Sequence, residues 1–127
     1  DAALAVSGLL RDFGLEAEAD KAVSAYSFGM KRKLLLTEAL AHAPRLLLLD
    51  EPTSGLDPKA SNEFSELVCT LRDEGVAVLM ATHDLFRSRE IATRIGIMKH
   101  GELVAQLSAQ DVTHNDLERI YLEHMHD

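Results

Sequence analysis

Two adjacent acids, Asp50 and Glu51, follow directly on four leucines, Leu46 to Leu49. A short apolar run bounded by turn residues reads as a buried strand. With leucines filling both of its faces, the strand delivers the acids at its carboxyl end. In open α/β sheets that edge is where ligands bind. Successive side chains on a strand point to opposite faces, so the two carboxylates are expected to do different jobs. Mg²⁺ takes oxygen ligands and keeps several waters, and a second carboxylate can orient or deprotonate an attacking water. On this division Asp50 serves the metal and Glu51 is the base. The plain alternative is a charged pair that ends a strand.

The elements that must hold these acids can be read on either side. Ala2 to Phe13 is rich in Ala and Leu and predicts a helix stopped by Gly14. Leu15 to Ala22 predicts a second, acidic one. Lys31 to Ala41 is made of strong helix formers and ends at Pro44. Pro52, Gly55 and Pro58 mark a loop after the acids. Asp57-Pro58 is a good helix start, an acid as N-cap and a proline at the first helical position. That helix should run to about Glu74 and stop at Gly75. Val76 to Thr82 predicts a second buried strand and Asp84 to Thr93 a helix. Arg94 to Lys99, His100-Gly101 and Glu102 to Leu107 predict a hairpin. The polar tail from Ser108 reads as helical, with Asp111 or Asn115 as a cap. Helices alternating with short apolar strands imply an α/β layer architecture with parallel strands in the middle.

Asp50-Glu51-Pro52-Thr53-Ser54-Gly55-Leu56-Asp57-Pro58 resembles the Walker B motif and D-loop of ABC ATPases almost letter for letter. Ser27-Phe28-Gly29-Met30 lies upstream at the spacing of that family's signature loop, and Thr82-His83-Asp84 lies downstream like its switch histidine. Three motifs in order make a far more specific signal than any one of them, and the resemblance spans residues 24–107. It implies a partial P-loop NTPase fold, mainly parallel sheet flanked by helices. Residues 1–43 would belong to the helical subdomain and 44–127 to the C-terminal half of the RecA-like core, including a C-terminal hairpin. It implies ATP and Mg²⁺ as ligands, a head-to-tail dimer with a second nucleotide-binding subunit, and a transmembrane permease as partner. The expected place is the cytoplasmic face of a bacterial membrane.

The resemblance also implies roles residue by residue. Ser27 and Gly29 would meet the γ-phosphate of ATP held by the opposite subunit. A helix start suits that task through its unpaired N–H groups and positive dipole end; the plain alternative is an ordinary Ser N-cap. Asp57 closes the D-loop, which would pass along the dimer interface, and it is also a plain N-cap. His83 would hydrogen-bond the γ-phosphate and hold the water in line; a generic histidine at a strand end would be structural. The variant Tyr26-Ser27-Phe28-Gly29-Met30 resembles that of bacterial export-type members.

Three features of the family pattern are missing. The 127 residues contain no G-x-x-x-x-G-K-[ST], so the loop that cradles the β- and γ-phosphates is missing, with its lysine. The Mg²⁺-sensing Gln and an aromatic for adenine are missing too. In related folds the phosphate-loop strand is central, beside the strand that ends in the switch histidine. Without it, sheet edges would lie open, and unpaired buried backbone groups cost about 1–3 kcal/mol each. The chain, which opens at Asp1 without a Met, is therefore expected to be a fragment that binds ATP weakly and hydrolyses nothing alone.

Composition narrows the alternatives. A net charge of −8 argues against a nucleic-acid or anionic-lipid surface, which needs clustered Lys and Arg. Cys69 is the single cysteine, so no internal disulfide forms; it reads as a small buried hydrophobe. The longest apolar runs are far too short to span a bilayer, so membrane association would pass through a partner. Two other functions stay open: an ABC-type ATPase without a membrane partner, and a truncated, non-catalytic interaction module.

Overall fold

A computed structural model of the chain describes residues 28–126 together with residues 8, 11, 14, 15, 17 and 22. The two helices expected before residue 23 lie largely outside the described residues, as does Ser27. Gly14 has φ +69° and donates its N–H to the Arg11 carbonyl at 3.0 Å, the left-handed conformation that suits a helix stop. The described residues gather into two compact units, Asp1–Ala81 and Thr82–Asp127.

In the first unit, α1 (Phe28–Leu40) leads to β1 (Leu46–Asp50), α2 (Pro58–Asp73) and β2 (Ala77–Ala81). β1 and β2 pair in parallel, with Leu46 opposite Ala77 and Asp50 opposite Ala81. Parallel strands require a crossover, and α2 supplies it. The start of α2 follows the sequence signal closely. Asp57 Oδ1 accepts the Ala60 N–H at 2.8 Å, Pro58 follows it, and Gly75 at φ +94° turns the chain out. One face of α2 buries Ser61, Ser65, Val68 and Leu71, a spacing of one helical stripe. Ser65 keeps its hydroxyl satisfied on the Ser61 carbonyl at 2.9 Å. The core joins Leu15, Leu36, Leu40, Leu47 and Leu71, with Leu49, Phe64 and Val78 packed against it.

The expectation that the four leucines are buried on both faces is corrected here. β1 alternates: Leu47 is 4% exposed, whereas Leu46 and Leu48 are 55% and 66% exposed. β2 alternates in step, with Leu79 at 67%. The parallel register places Leu46, Leu48, Ala77 and Leu79 on one face. Helices α1 and α2 cover the other face. A run of leucines fits a strand buried once or twice equally well, because the second layer comes from elsewhere in the fold. Cys69 likewise is half-buried rather than fully enclosed.

In the second unit, α3 (Leu85–Ile91) precedes the antiparallel hairpin β3 (Arg94–Lys99) and β4 (Glu102–Ser108), then a short 3₁₀ turn at Ala109–Asp111 and α4 (His114–Met125). His100 and Gly101 both have positive φ, +50° and +82°, as a two-residue hairpin turn of the right twist requires. The register steps between Ile97 and Met98, leaving Val104 as the extra residue of a bulge. Ile95, Ala109 and Leu117 form the core, and Leu117 is 0% exposed.

The cap of α4 is Thr113, not Asp111 or Asn115. Thr113 Oγ1 accepts the Asp116 N–H at 3.1 Å, and Asp116 Oδ2 accepts the Thr113 N–H at 3.0 Å, a reciprocal capping box. The backbone N–H and hydroxyl of Thr113, with Arg119 behind them, hold the Asp116 carboxyl below its ordinary value of 3.8. A depressed folded value means stability that is present above the unfolded value and lost as pH falls through the folded one. Wild type should therefore melt above Asp116→Asn at pH 6, and the gap should close as pH is lowered below about 4. A gap independent of pH would remove the carboxylate from this account.

Candidate functional site

Asp50 occupies the last position of β1, exposed, opposite Ala81. The ladder gains one further bond, from the Glu51 N–H to the Ala81 carbonyl at 2.8 Å. The chain then leaves the strand, because Glu51 has φ +44°. That left-handed region is uncommon for a residue with a long side chain, and such strain concentrates at functional sites. The two acids are thus separated by a backbone turn, not by strand alternation as the sequence led one to expect. Pro52 is buried just after it. The Ser54 N–H donates to the Glu51 carbonyl at 3.2 Å and the Leu56 N–H to the Thr53 carbonyl at 3.1 Å. Gly55, at φ +77°, lets the second turn close, and Asp57 ties the loop to α2. Residues 51–57 are a compact, internally bonded loop between the strand end and a capped helix.

Gly29 lies in the first turn of α1. In the second unit His83 is exposed between two anchored neighbours. Thr82 Oγ1 accepts the Asp84 N–H at 3.1 Å. Asp84 caps α3 by accepting the Arg87 N–H on Oδ1 at 2.9 Å, and its Oδ2 accepts Arg87 Nε at 3.3 Å. Arg87 escaped the sequence reading; an acid followed three residues later by arginine at a helix start was the available signal.

Among the described residues no group of three or more His, Cys, Asp or Glu side chains gathers to hold a metal. An exposed carboxylate at a strand end fits Mg²⁺ instead, since that ion binds through one or two carboxylates together with substrate phosphates and water. A cleft of about 770 Å³ runs along β1 in the first unit, lined by Leu47, Leu48, Asp50, Arg32, Lys33 and Phe64 among others. Among the described candidate residues only Asp50 lines it. Its leucine-rich wall makes it a gap beside the strand, not a phosphate cradle.

A strand–helix–strand unit with acids at the carboxyl end of its first parallel strand is the arrangement of a P-loop-type nucleotide hydrolase core. A family model described as "AAA domain, putative AbiEii toxin, Type IV TA system" matches residues 5–86, and the chain belongs to that AAA-domain family. Its curated homologues are ATP-binding proteins of ABC transporters. The daunorubicin/doxorubicin resistance ATP-binding protein DrrA of Streptomyces peucetius is 39% identical over 98 residues, covering 77% of this chain and 30% of that protein. The methionine import ATP-binding protein MetN of Lactococcus lactis subsp. lactis (strain IL1403) is 36% identical, covering 84% and 29%. The structure of cbiO1 from Clostridium perfringens, part of the ABC transporter complex cbiONQ, superposes with a TM-score of 0.79 at 29% identity, covering 95% of this chain and 49% of that one. The chain thus spans about 30% of the length of these curated relatives. The partial P-loop NTPase fold read from the sequence is the fold observed, and among the described residues no helix is long and apolar enough to cross a membrane.

Proposed function

We propose that the chain supplies the hydrolytic carboxylates, signature loop and switch histidine of a bacterial ABC-transporter ATPase subunit that powers export. Glu51 is the base that takes the proton of the attacking water. Asp50 holds Mg²⁺, which when bound neutralises charge on the phosphates. His83 hydrogen-bonds the γ-phosphate. Ser27 and Gly29 meet the nucleotide of a second subunit, with Asp57 closing the loop along that interface. The working unit is then a head-to-tail dimer bound to a transmembrane permease at the cytoplasmic face. Residues 1–43 form part of the helical subdomain and 44–127 part of the catalytic core.

The observation that carries this reading is Glu51, a long acid held at φ +44° immediately beyond a parallel strand. Export is favoured by the Tyr26-Ser27-Phe28-Gly29-Met30 variant.

Calorimetric titration of this chain with Mg-ATP tests the shared-site assignment. No micromolar binding is expected, because the carboxylates repel phosphate unless a lysine and a backbone nest accompany them. Micromolar binding by the 127 residues alone would defeat it.

A further inference from the structure

We infer that Arg87 is a positioning residue that acts through His83, an inference that rests on the phosphate-facing role proposed for that histidine. Arg87 is unusual where it stands. Its side chain is only 16% exposed, and arginine is rarely that buried unless paired. One pairing is with Asp84, which Arg87 engages twice: its backbone N–H donates to Oδ1 at 2.9 Å and its guanidinium Nε to Oδ2 at 3.3 Å. Both oxygens of the carboxylate are thereby fixed.

Asp84 in turn gives its own N–H to the Thr82 hydroxyl at 3.1 Å, and its carbonyl accepts the Ser88 hydroxyl at 2.8 Å and the Ser88 N–H at 3.0 Å. The backbone just after His83 is therefore tied down, to the Thr82 hydroxyl before the histidine and to Ser88 beyond it, while the imidazole itself stays exposed. An exposed side chain on an immobilised backbone is the arrangement that reaction chemistry demands. A small displacement of a positioned group costs rate even when binding is unchanged. Without the guanidinium, Asp84 Oδ2 loses its partner and the cap rests on a single neutral N–H. Residues 82–84 can then rotate against α3, carrying the histidine with them.

The test is a set of variants of the complete ATP-binding subunit, assayed for ATP turnover. Arg87→Met keeps the aliphatic packing and removes the fork. It is expected to lower kcat about tenfold with KM for ATP changed less than about twofold. Arg87→Lys restores a cation able to meet Asp84 and should recover most of that loss, which loss of folding would not do. His83→Ala should lower kcat further than Arg87→Met does. Combined with His83→Ala, Arg87→Met should have no additional effect, since residues acting as one unit are not additive. The same tenfold loss in both backgrounds would overturn the inference, as would wild-type kcat for Arg87→Met beside a slow His83→Ala. A His83→Ala variant with wild-type kcat would instead overturn the role assigned to the histidine itself.

Discussion

Glu51→Gln in the complete subunit is expected to lower ATP turnover by about 10²–10⁴-fold while nucleotide affinity stays within a few-fold of wild type. Glutamine is close in shape to glutamate and keeps one acceptor oxygen, so it can still hold a water. What it cannot do is take the proton. The geometry says why the loss should fall on chemistry and not on folding. Glu51 sits just outside β1, and two backbone bonds hold its turn: its N–H to the Ala81 carbonyl at 2.8 Å and its carbonyl from the Ser54 N–H at 3.2 Å. The amide variant leaves both backbone bonds in place. Asp50, the last residue still on the strand, is the control. Asp50→Asn should shift the Mg²⁺ concentration needed for activity, because its proposed partner is the ion. Turnover of Glu51→Gln within threefold of wild type would remove the base assignment. Loss of nucleotide binding in the same variant would show that Glu51 holds the ligand instead of acting on the water.

The strained turn at Glu51 was not legible in the sequence. Asp-Glu after leucines announces a strand end, and strand periodicity then supplies a tidy separation of the two acids. The actual separation comes from one left-handed residue, whose conformation depends on how Pro52 and the β2 end are packed. What could be read was local chemistry. Asp57-Pro58 as a helix start, Gly75 as a stop and His100-Gly101 as a hairpin turn are each decided by the conformational limits of those residues. What could not be read depended on distant parts of the chain. Whether Leu46 and Leu48 are covered is set by which layers pack on the sheet. The α4 cap is a different case: Thr113 with Asp116 three residues on is a capping-box spacing that the sequence did carry. The Asp50, Glu51, Asp57 and His83 positions were all picked from the sequence. Each now has a local setting: an exposed strand end, a left-handed turn, a helix cap and an anchored loop.

Leu117→Ala is expected to cost about 3 kcal/mol, within the range of about 2–5 for a buried leucine cut to alanine. Leu117 is 0% exposed, and the core it completes is small: Ile95 and Ala109 buried, with Leu85, Ala92, Leu107 and Val112 half-buried around them. A core of this size has few atoms free to collapse into the gap, which puts the cost above that of mere transfer from water. Leu122, on the same helix, is 57% exposed, so Leu122→Ala should stay within about 0.5 kcal/mol of wild type. The consequence reaches the site through α3. That helix packs against α4 and begins at Asp84, the residue that anchors the loop carrying His83. Loosening the α3–α4 contact therefore frees the histidine as well as weakening the unit. Urea unfolding followed by far-ultraviolet circular dichroism measures the first effect, and ATP turnover of the complete subunit below the midpoint measures the second. Equal midpoints for Leu117→Ala and Leu122→Ala would mean that α4 is not held by this core. A fall in stability with unchanged turnover would mean that the loop keeps its shape through the Thr82–Asp84–Arg87 bonds alone.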